Sequence, residues 1–349
     1  MIDQPSIVPI PVARGLFLAT LLLVYSGAGM AESVSSSSSA VNECMLQNMG
    51  ASDDMTLGQL REKCQSETAV DDSVQPKTES MGAVSHRLSV DDVNVTKAFT
   101  LLPHRANYLL AGAYNSKGFN ADPFRNTFND QTIELDDTEA QFQLSIKFPL
   151  AINLFDKKID IFGAYTNRSF WQLYNDDVSS PFRDTNHEPE AWIQFRQDWQ
   201  IFGMTNPVNQ FGFNHQSNGR GGELSRSWNR IFANFLFERG NLALSLKPWY
   251  RIPEDDDDDD NPDIEDFLGY GEIRTVYKLN RHTLGFMLRN AIESDFDYTT
   301  VELSWSFPLG NYPHFRGYAQ YFNGYGNSLV DYNQEANIIG IGISLTDYL

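Results

Sequence analysis

The sequence predicts an all-β protein: a twelve-stranded antiparallel transmembrane β-barrel with a small N-terminal extension. Three observations carry this. From about residue 105 onward apolar and polar residues alternate with period two, as in Phe142, Leu144, Ile146 and Phe148 against Gln141, Gln143, Ser145 and Lys147, or Val301, Leu303, Trp305 and Phe307 against Glu302, Ser304 and Ser306. The chain opens on what reads as an export leader and has no apolar run long enough to cross a bilayer as a helix. It closes on Ile338 to Leu349, where Ile339, Ile341, Ile343 and Leu345 alternate with Gly340, Gly342 and Ser344. That segment resembles the terminal strand of outer-membrane proteins, with Leu349 where Phe is commoner. Alternation alone fits a soluble β-sandwich equally well; the leader, the lack of a spanning helix and the last strand favour the membrane.

In chain order, residues 1–31 read as a signal peptide. Arg14 precedes the apolar stretch Gly15 to Tyr25, and Gly29-Met30-Ala31 offers small residues at both cleavage-determining positions. No cysteine follows where a lipoprotein needs one, so an envelope or secreted protein is expected, a soluble periplasmic one included. Residues 32–100 are Ser-rich and polar, a periplasmic extension with one helix expected over Thr56 to Cys64, whose Thr56 and Gln59 have capping-box spacing. Both cysteines, Cys44 and Cys64, fall there, and in an exported chain a disulfide between them is the expectation.

Residues 101–349 form the barrel, with strands expected around residues 111, 144, 164, 195, 212, 232, 246, 273, 287, 302, 319 and 341. Strands of about ten residues, even in number and rich in Tyr, Phe and Trp near their ends, suit a barrel with aromatic girdles. With the N-terminus in the periplasm, the loops after strands three, five and seven lie at the outer end. These hold Ser179, the turn from Ser217 to Ser225 and the acidic run Asp255 to Asp260.

The formal net charge is −20, and removing the leader leaves it unchanged because that segment holds one acid, Asp3, and one base, Arg14. Such a balance argues against nucleic acid as a partner. It suits divalent cations or a solvated surface, and composition leaves both open.

The richest segment is Asn214-His215-Gln216-Ser217-Asn218-Gly219-Arg220, followed by Ser225-Arg226-Ser227-Trp228-Asn229-Arg230. On a strand, His215 and Ser217 project from one face, and a hairpin through Gly219, Gly221 and Gly222 brings Asn229 alongside His215. A serine hydroxyl becomes a nucleophile when a base takes its proton, and the base works best when a third group fixes its tautomer. Ser217, His215 and Asn229 supply those three roles. A His-x-Ser pair carries little weight alone. Here the three share a stripe with Phe211, Phe213 and Ile231, and polar groups on a lipid-facing stripe are costly to keep without a function. Two other readings compete: a passive porin, whose polar residues would face inward, and a barrel protease, whose acidic pairs would face the lumen.

The same segments, with Lys247-Pro248-Trp249-Tyr250, Asn261-Pro262-Asp263-Ile264 and Ser179-Ser180-Pro181-Phe182-Arg183, resemble the outer membrane phospholipase A family over roughly residues 105 to 349. The resemblance implies a calcium-dependent hydrolase of the sn-1 and sn-2 acyl esters of phospholipids and lysophospholipids, embedded in the outer membrane and active as a homodimer. It implies His215 as base, Ser217 as nucleophile and Asn229 as orienting residue. It further implies an oxyanion site at the Gly219 backbone N–H, and one Ca²⁺ per active site held by the Ser225 hydroxyl, the Arg220 carbonyl and a Ser179 carbonyl from the partner subunit. The sequence departs from the family at Gln216, commonly an acid, and at Gly222-Glu223, which replaces an acidic position of an auxiliary calcium site. The Asp255 to Asp260 run is a candidate to compensate, or a solvated loop tip.

Overall fold

The computed structural model describes residues 58, 61, 63, 64, 81–97, 100–177, 181–255, 257, 259–290, 295–312 and 314–349. The chain divides into two compact units, Met1–Lys77 and Thr78–Leu349. In the first, Gly58, Arg61, Lys63 and Cys64 are helical, within the segment expected to be a helix. The leader, Cys44 and the Thr56–Gln59 capping pair lie outside the described residues.

The second unit is a closed barrel. Its twelve long strands are β1 (Asn107–Asn115), β2 (Thr138–Asn153), β3 (Ile159–Trp171), β4 (Phe182–Ile201), β5 (Met204–Ser217), β6 (Ser227–Arg239), β7 (Leu242–Ile252), β8 (Gly271–Leu279), β9 (His282–Arg289), β10 (Thr300–Pro308), β11 (Arg316–Gly324) and β12 (Ala336–Thr346). Each pairs antiparallel with the next, and β12 pairs with β1 to close the ring. Closure leaves no free edge, which a sheet in lipid requires. A two-residue strand, Leu102–Pro103, adds to β2 at Lys147 and Ile146.

The wall is apolar outside and polar inside. Leu144, Ile193, Phe211, Phe213, Ile231, Tyr250, Trp305, Ile339 and Ile341 are exposed on its outer face, whereas Glu139, Gln141, Ser145, Glu188, Glu190, Gln194, Asn214, Arg230 and Glu302 are buried on the inner one. This inversion of the usual soluble pattern excludes the β-sandwich, since nothing but hydrocarbon would make so many exposed aromatic and aliphatic side chains stable. The buried charges are paired: Arg105 with Glu188 at 2.7 Å and Glu190 at 2.8 Å, Lys247 with Glu190 at 2.9 Å and Arg274 with Glu302 at 3.2 Å. Pairing of this kind is what makes a charged interior tolerable.

Short turns join the strands at one end, such as Phe202–Gly203 and Gly240–Asn241, and long loops at the other. Helix α1 (Ala83–Val95) docks at the short-turn end. Its first turn is capped from across the chain, with the Val84 and Ser85 amides donating to Glu238 Oε2 at 2.8 and 2.9 Å. Asp91 bonds Lys147 at 2.6 Å, and Asp92 bonds Arg196 at 2.6 Å. The barrel unit thus begins at Thr78, upstream of the boundary expected at residue 101, because α1 is held by strand residues far away in sequence. The last strand also ends earlier than the sequence suggests. It stops at Thr346, and Tyr348 and Leu349 turn into the lumen, where the Tyr348 hydroxyl lies 3.1 Å from Arg274 Nη1.

Candidate active site

β5 and β6 form one long hairpin whose ladder runs from Thr205↔Glu238 to Ser217↔Ser227, with a shift between Thr205 and Val208 where Pro207 cannot donate. That register sets the site. His215 stands directly opposite Asn229, so both side chains leave the same face of the wall, the outer one that carries Phe211, Phe213 and Ile231. The His215 Nδ1 lies 2.9 Å from the Asn229 Oδ1. Ser217 follows two residues on from His215, on the same face at the long-loop end.

The inner face of the same hairpin is clamped. Asn214 donates to Glu188 at 2.7 Å and accepts from Arg230, whose Nη2 also reaches Gln216 Oε1 at 3.0 Å. Gln216 Oε1 further accepts from Trp228 Nε1 at 2.9 Å, and Trp228 is fully buried. Gln216 therefore points away from Ser217, so its departure from an acid bears on the inner wall and not on the face that carries His215 and Ser217. Gly212 stands where an added Cβ would lie 2.4 Å from the Ala191 carbonyl oxygen and 2.7 Å from the Trp192 Cβ, so only glycine lets β4, β5 and β6 approach this closely.

Beyond Ser217 the chain reverses through a turn closed by Asn218. The Asn218 Oδ1 accepts from the Arg226 amide at 3.0 Å and the Arg220 amide at 3.3 Å, and its Nδ2 donates to the Leu224 carbonyl at 2.8 Å. Gly219 has φ +63 and Gly222 φ +63, left-handed values that a side chain resists. The Arg220 guanidinium donates to the Phe182 and Arg183 carbonyls at 2.8 and 2.9 Å, pinning the turn to β4. Leu224 packs with Phe124 of helix α2 (Asp122–Phe128) and with Val330. The Gly219 amide thus sits in a braced turn.

Three residues to which the sequence reading gave no role flank the site. Glu254 Oε1 accepts from Asn229 Nδ2 at 3.0 Å. His187 lies in register with Ser217 on the neighbouring strand and within 3.8 Å of where a Gly219 side chain would begin. Its Nδ1 is 2.6 Å from the Tyr165 hydroxyl. Arg183 is buried beneath, bidentate to Glu139 at 2.8 and 2.9 Å, bonded to Ser328 at 3.0 Å and to Asp331, with the Phe119 ring 4.1 Å from its guanidinium. Asp331, in the 325–335 loop, is pushed up to about 6, first by burial and then by Asp184 and Glu139, against the pull of Arg183. Asn218 and Arg183 did sit inside quoted motifs; Glu254 and His187 meet the site only through loop and cross-strand placement, which leaves no local signal.

Of the expected calcium ligands, Ser225 and Arg220 lie in the same turn, and Ser179 is outside the described residues. The Ser225 hydroxyl donates to Asp260 Oδ2 at 2.5 Å, which brings one carboxyl of the acidic run to this turn. Asp259 is engaged instead by Arg251 at 2.7 Å. Among the described residues no group of three or more His, Cys, Asp or Glu gathers as a metal cluster. A hydroxyl, a carbonyl and a nearby carboxyl are hard oxygen donors, a set that fits Ca²⁺ better than softer metals.

A family model described as Phospholipase A1 matches residues 84–345 of the chain. The Phospholipase A1 of Klebsiella pneumoniae is 36% identical over 280 residues, covering 80% of this chain and 93% of that protein. That of Escherichia coli K12 is 36% identical over 249 residues, covering 71% and 82%. Among solved structures, outer membrane phospholipase A from Escherichia coli matches with a TM-score of 0.66 and 34% identity over 74% of this chain and 97% of that one. The Salmonella typhi outer membrane phospholipase, solved as a dimer with bound calcium, matches with a TM-score of 0.67 and 35% identity over the same shares.

Proposed function

The chain belongs to the phospholipase A1 family, and on that premise we propose that Ser217, His215 and Asn229 are the triad with which it cleaves phospholipid acyl esters at the outer wall of the barrel. It is an integral outer-membrane β-barrel enzyme, a phospholipase ester hydrolase. The observation that carries the triad is the His215 Nδ1 to Asn229 Oδ1 contact at 2.9 Å, on the face that also carries Ser217 and meets lipid.

In this reading the Ser217 hydroxyl oxygen attacks the ester carbonyl carbon and its proton passes to His215 Nε2. The Nδ1–H donates to Asn229 Oδ1 and keeps Nε2 free to accept. The negative charge that forms on the carbonyl oxygen is taken by the Gly219 amide. As the ester C–O bond breaks, His215 returns the proton to the departing lysophospholipid alkoxide and leaves an acyl-serine. Water, deprotonated by His215, then releases the fatty acid and restores Ser217. Both the sn-1 and the sn-2 ester, and those of lysophospholipids, are within this chemistry.

The Ser225 hydroxyl and the Arg220 carbonyl would hold calcium, with a Ser179 carbonyl from a second copy, one ion per active site of a homodimer. When bound, the ion supplies positive charge beside the developing oxyanion. The long loops that hold these residues face outward, as long loops of such barrels do. The site's position on the apolar face disfavours a porin, whose working groups line the lumen. Hydrolysis of a labelled phospholipid, measured with calcium and with chelator, tests the reading; absence of calcium-dependent release would overturn it.

A further inference from the structure

We propose that Glu254 is the positioning residue of the catalytic row, the group that decides which end of the Asn229 amide faces His215. The proposal rests on the triad reading above. An asparagine amide has two ends of nearly equal size and opposite polarity, and nothing in Asn229 itself selects between them. The choice matters chemically. With Oδ1 toward Nδ1, the imidazole carries its proton on Nδ1 and offers the Nε2 lone pair to Ser217. With Nδ2 toward Nδ1, the amide donates, the ring proton moves to Nε2, and His215 can no longer accept from the serine.

An aspartate at this position would present an acceptor in either orientation and need no such help. An asparagine does need it, and the structure places a carboxyl where it is required. Glu254 Oε1 accepts from Asn229 Nδ2 at 3.0 Å, which leaves Oδ1 to His215 Nδ1 at 2.9 Å. The placement follows from strand geometry. Asn229 stands opposite Ile252 on β7, and Glu254 lies two residues beyond Ile252, so the extended chain through Pro253 carries it past the end of the ladder on the same outer face. Its side chain is half-buried. The row therefore reads Ser217, His215, Asn229, Glu254, spanning three consecutive strands. Glu254 touches no reacting atom and acts through the amide.

The test is a pair of mutant cycles on the full-length enzyme in detergent with calcium, with heat-modifiable gel mobility confirming a folded barrel in each variant. Glu254→Ala is expected to lower kcat about tenfold with KM unchanged. Glu254→Gln, whose Oε1 can still accept from Asn229, is expected to recover most of that loss. On an Asn229→Ala background, Glu254→Ala should cost nothing further, because the amide through which it acts is gone. On an Asn229→Asp background the sign should invert, with Glu254→Ala raising kcat by relieving carboxyl beside carboxyl. A kcat for Glu254→Ala equal to the parent's, or the same fractional loss in the parent and Asn229→Ala backgrounds, or Gln as poor as Ala, would overturn the proposal and leave the triad standing. Full activity of Asn229→Ala itself would instead overturn the triad reading.

Discussion

His215 and Asn229 occupy directly opposed positions on β5 and β6, so the contact between them is fixed by ladder register and not by loop conformation. On the proposed triad, removing any of its side chains should leave the barrel intact. Ser217→Ala and His215→Ala are each expected to reduce kcat by about 10³-fold or more, since each is needed for acyl transfer. Asn229→Ala should be milder, about 10- to 100-fold, because the base remains and only its orientation is lost. Steady-state hydrolysis in mixed micelles, beside gel mobility with and without heating, checks all three.

Calcium and self-association should be linked. If the ion is held by Ser225 and Arg220 of one copy and Ser179 of another, it binds the dimer better than the monomer, and calcium must strengthen dimerisation by the same factor. Ser225→Asn is expected to weaken calcium activation and calcium-promoted association together. Sedimentation in detergent across a calcium titration, with an acylating inhibitor on Ser217, reads both; calcium activation with no change in association would refute a shared ion.

The buried Arg183 holds Glu139 and Asp331, with the Phe119 and Phe170 rings 4.1 and 5.1 Å from its guanidinium. Arg183→Met leaves those carboxyls without their cation, and a loss of about 3–5 kcal/mol in stability is expected. Thermal unfolding in detergent should show it as a lowered midpoint, whereas a midpoint equal to the parent's would mean that the network contributes nothing net.

Asp331 supplies a pH signature. Its carboxyl titrates at about 6 in the folded protein, above the ordinary 3.8, so ionising it works against folding. The stability it contributes is complete below pH 3.8 and is lost as pH rises through 6, a change of about 3 kcal/mol. Asp331→Asn removes that slope. The parent should lose stability relative to Asp331→Asn between pH 4 and pH 6, with the difference constant above pH 7; parallel melting curves across the whole range would contradict this assignment.

The strands were legible because alternation is local: each of the twelve expected centres lies within a strand, from residue 111 in β1 to 341 in β12. The opposition of His215 and Asn229 was legible for the same reason, since the glycines at 219, 221 and 222 mark where the hairpin reverses. Helix α1 was not. Its inward apolar residues, Ala83, Val84, Leu88 and Val95, are few and follow no clean helical stripe, and its anchors Glu238, Lys147 and Arg196 are distant in sequence. Glu254 carried no signal of its own, because its contact is with Asn229 on the neighbouring strand and is made just past the end of β7.

On the proposed triad, the outward placement of Ser217 changes what substrate concentration means for this enzyme. A site that opens sideways into hydrocarbon from the long-loop end meets esters arriving by lateral diffusion within one leaflet, so its supply is a number per unit area and not per unit volume. Adding inert amphiphile should slow it at constant bulk lipid, and adding buffer should not. The rate then reports how much cleavable lipid has reached that leaflet, which makes the enzyme a gauge of membrane composition as well as a consumer of it.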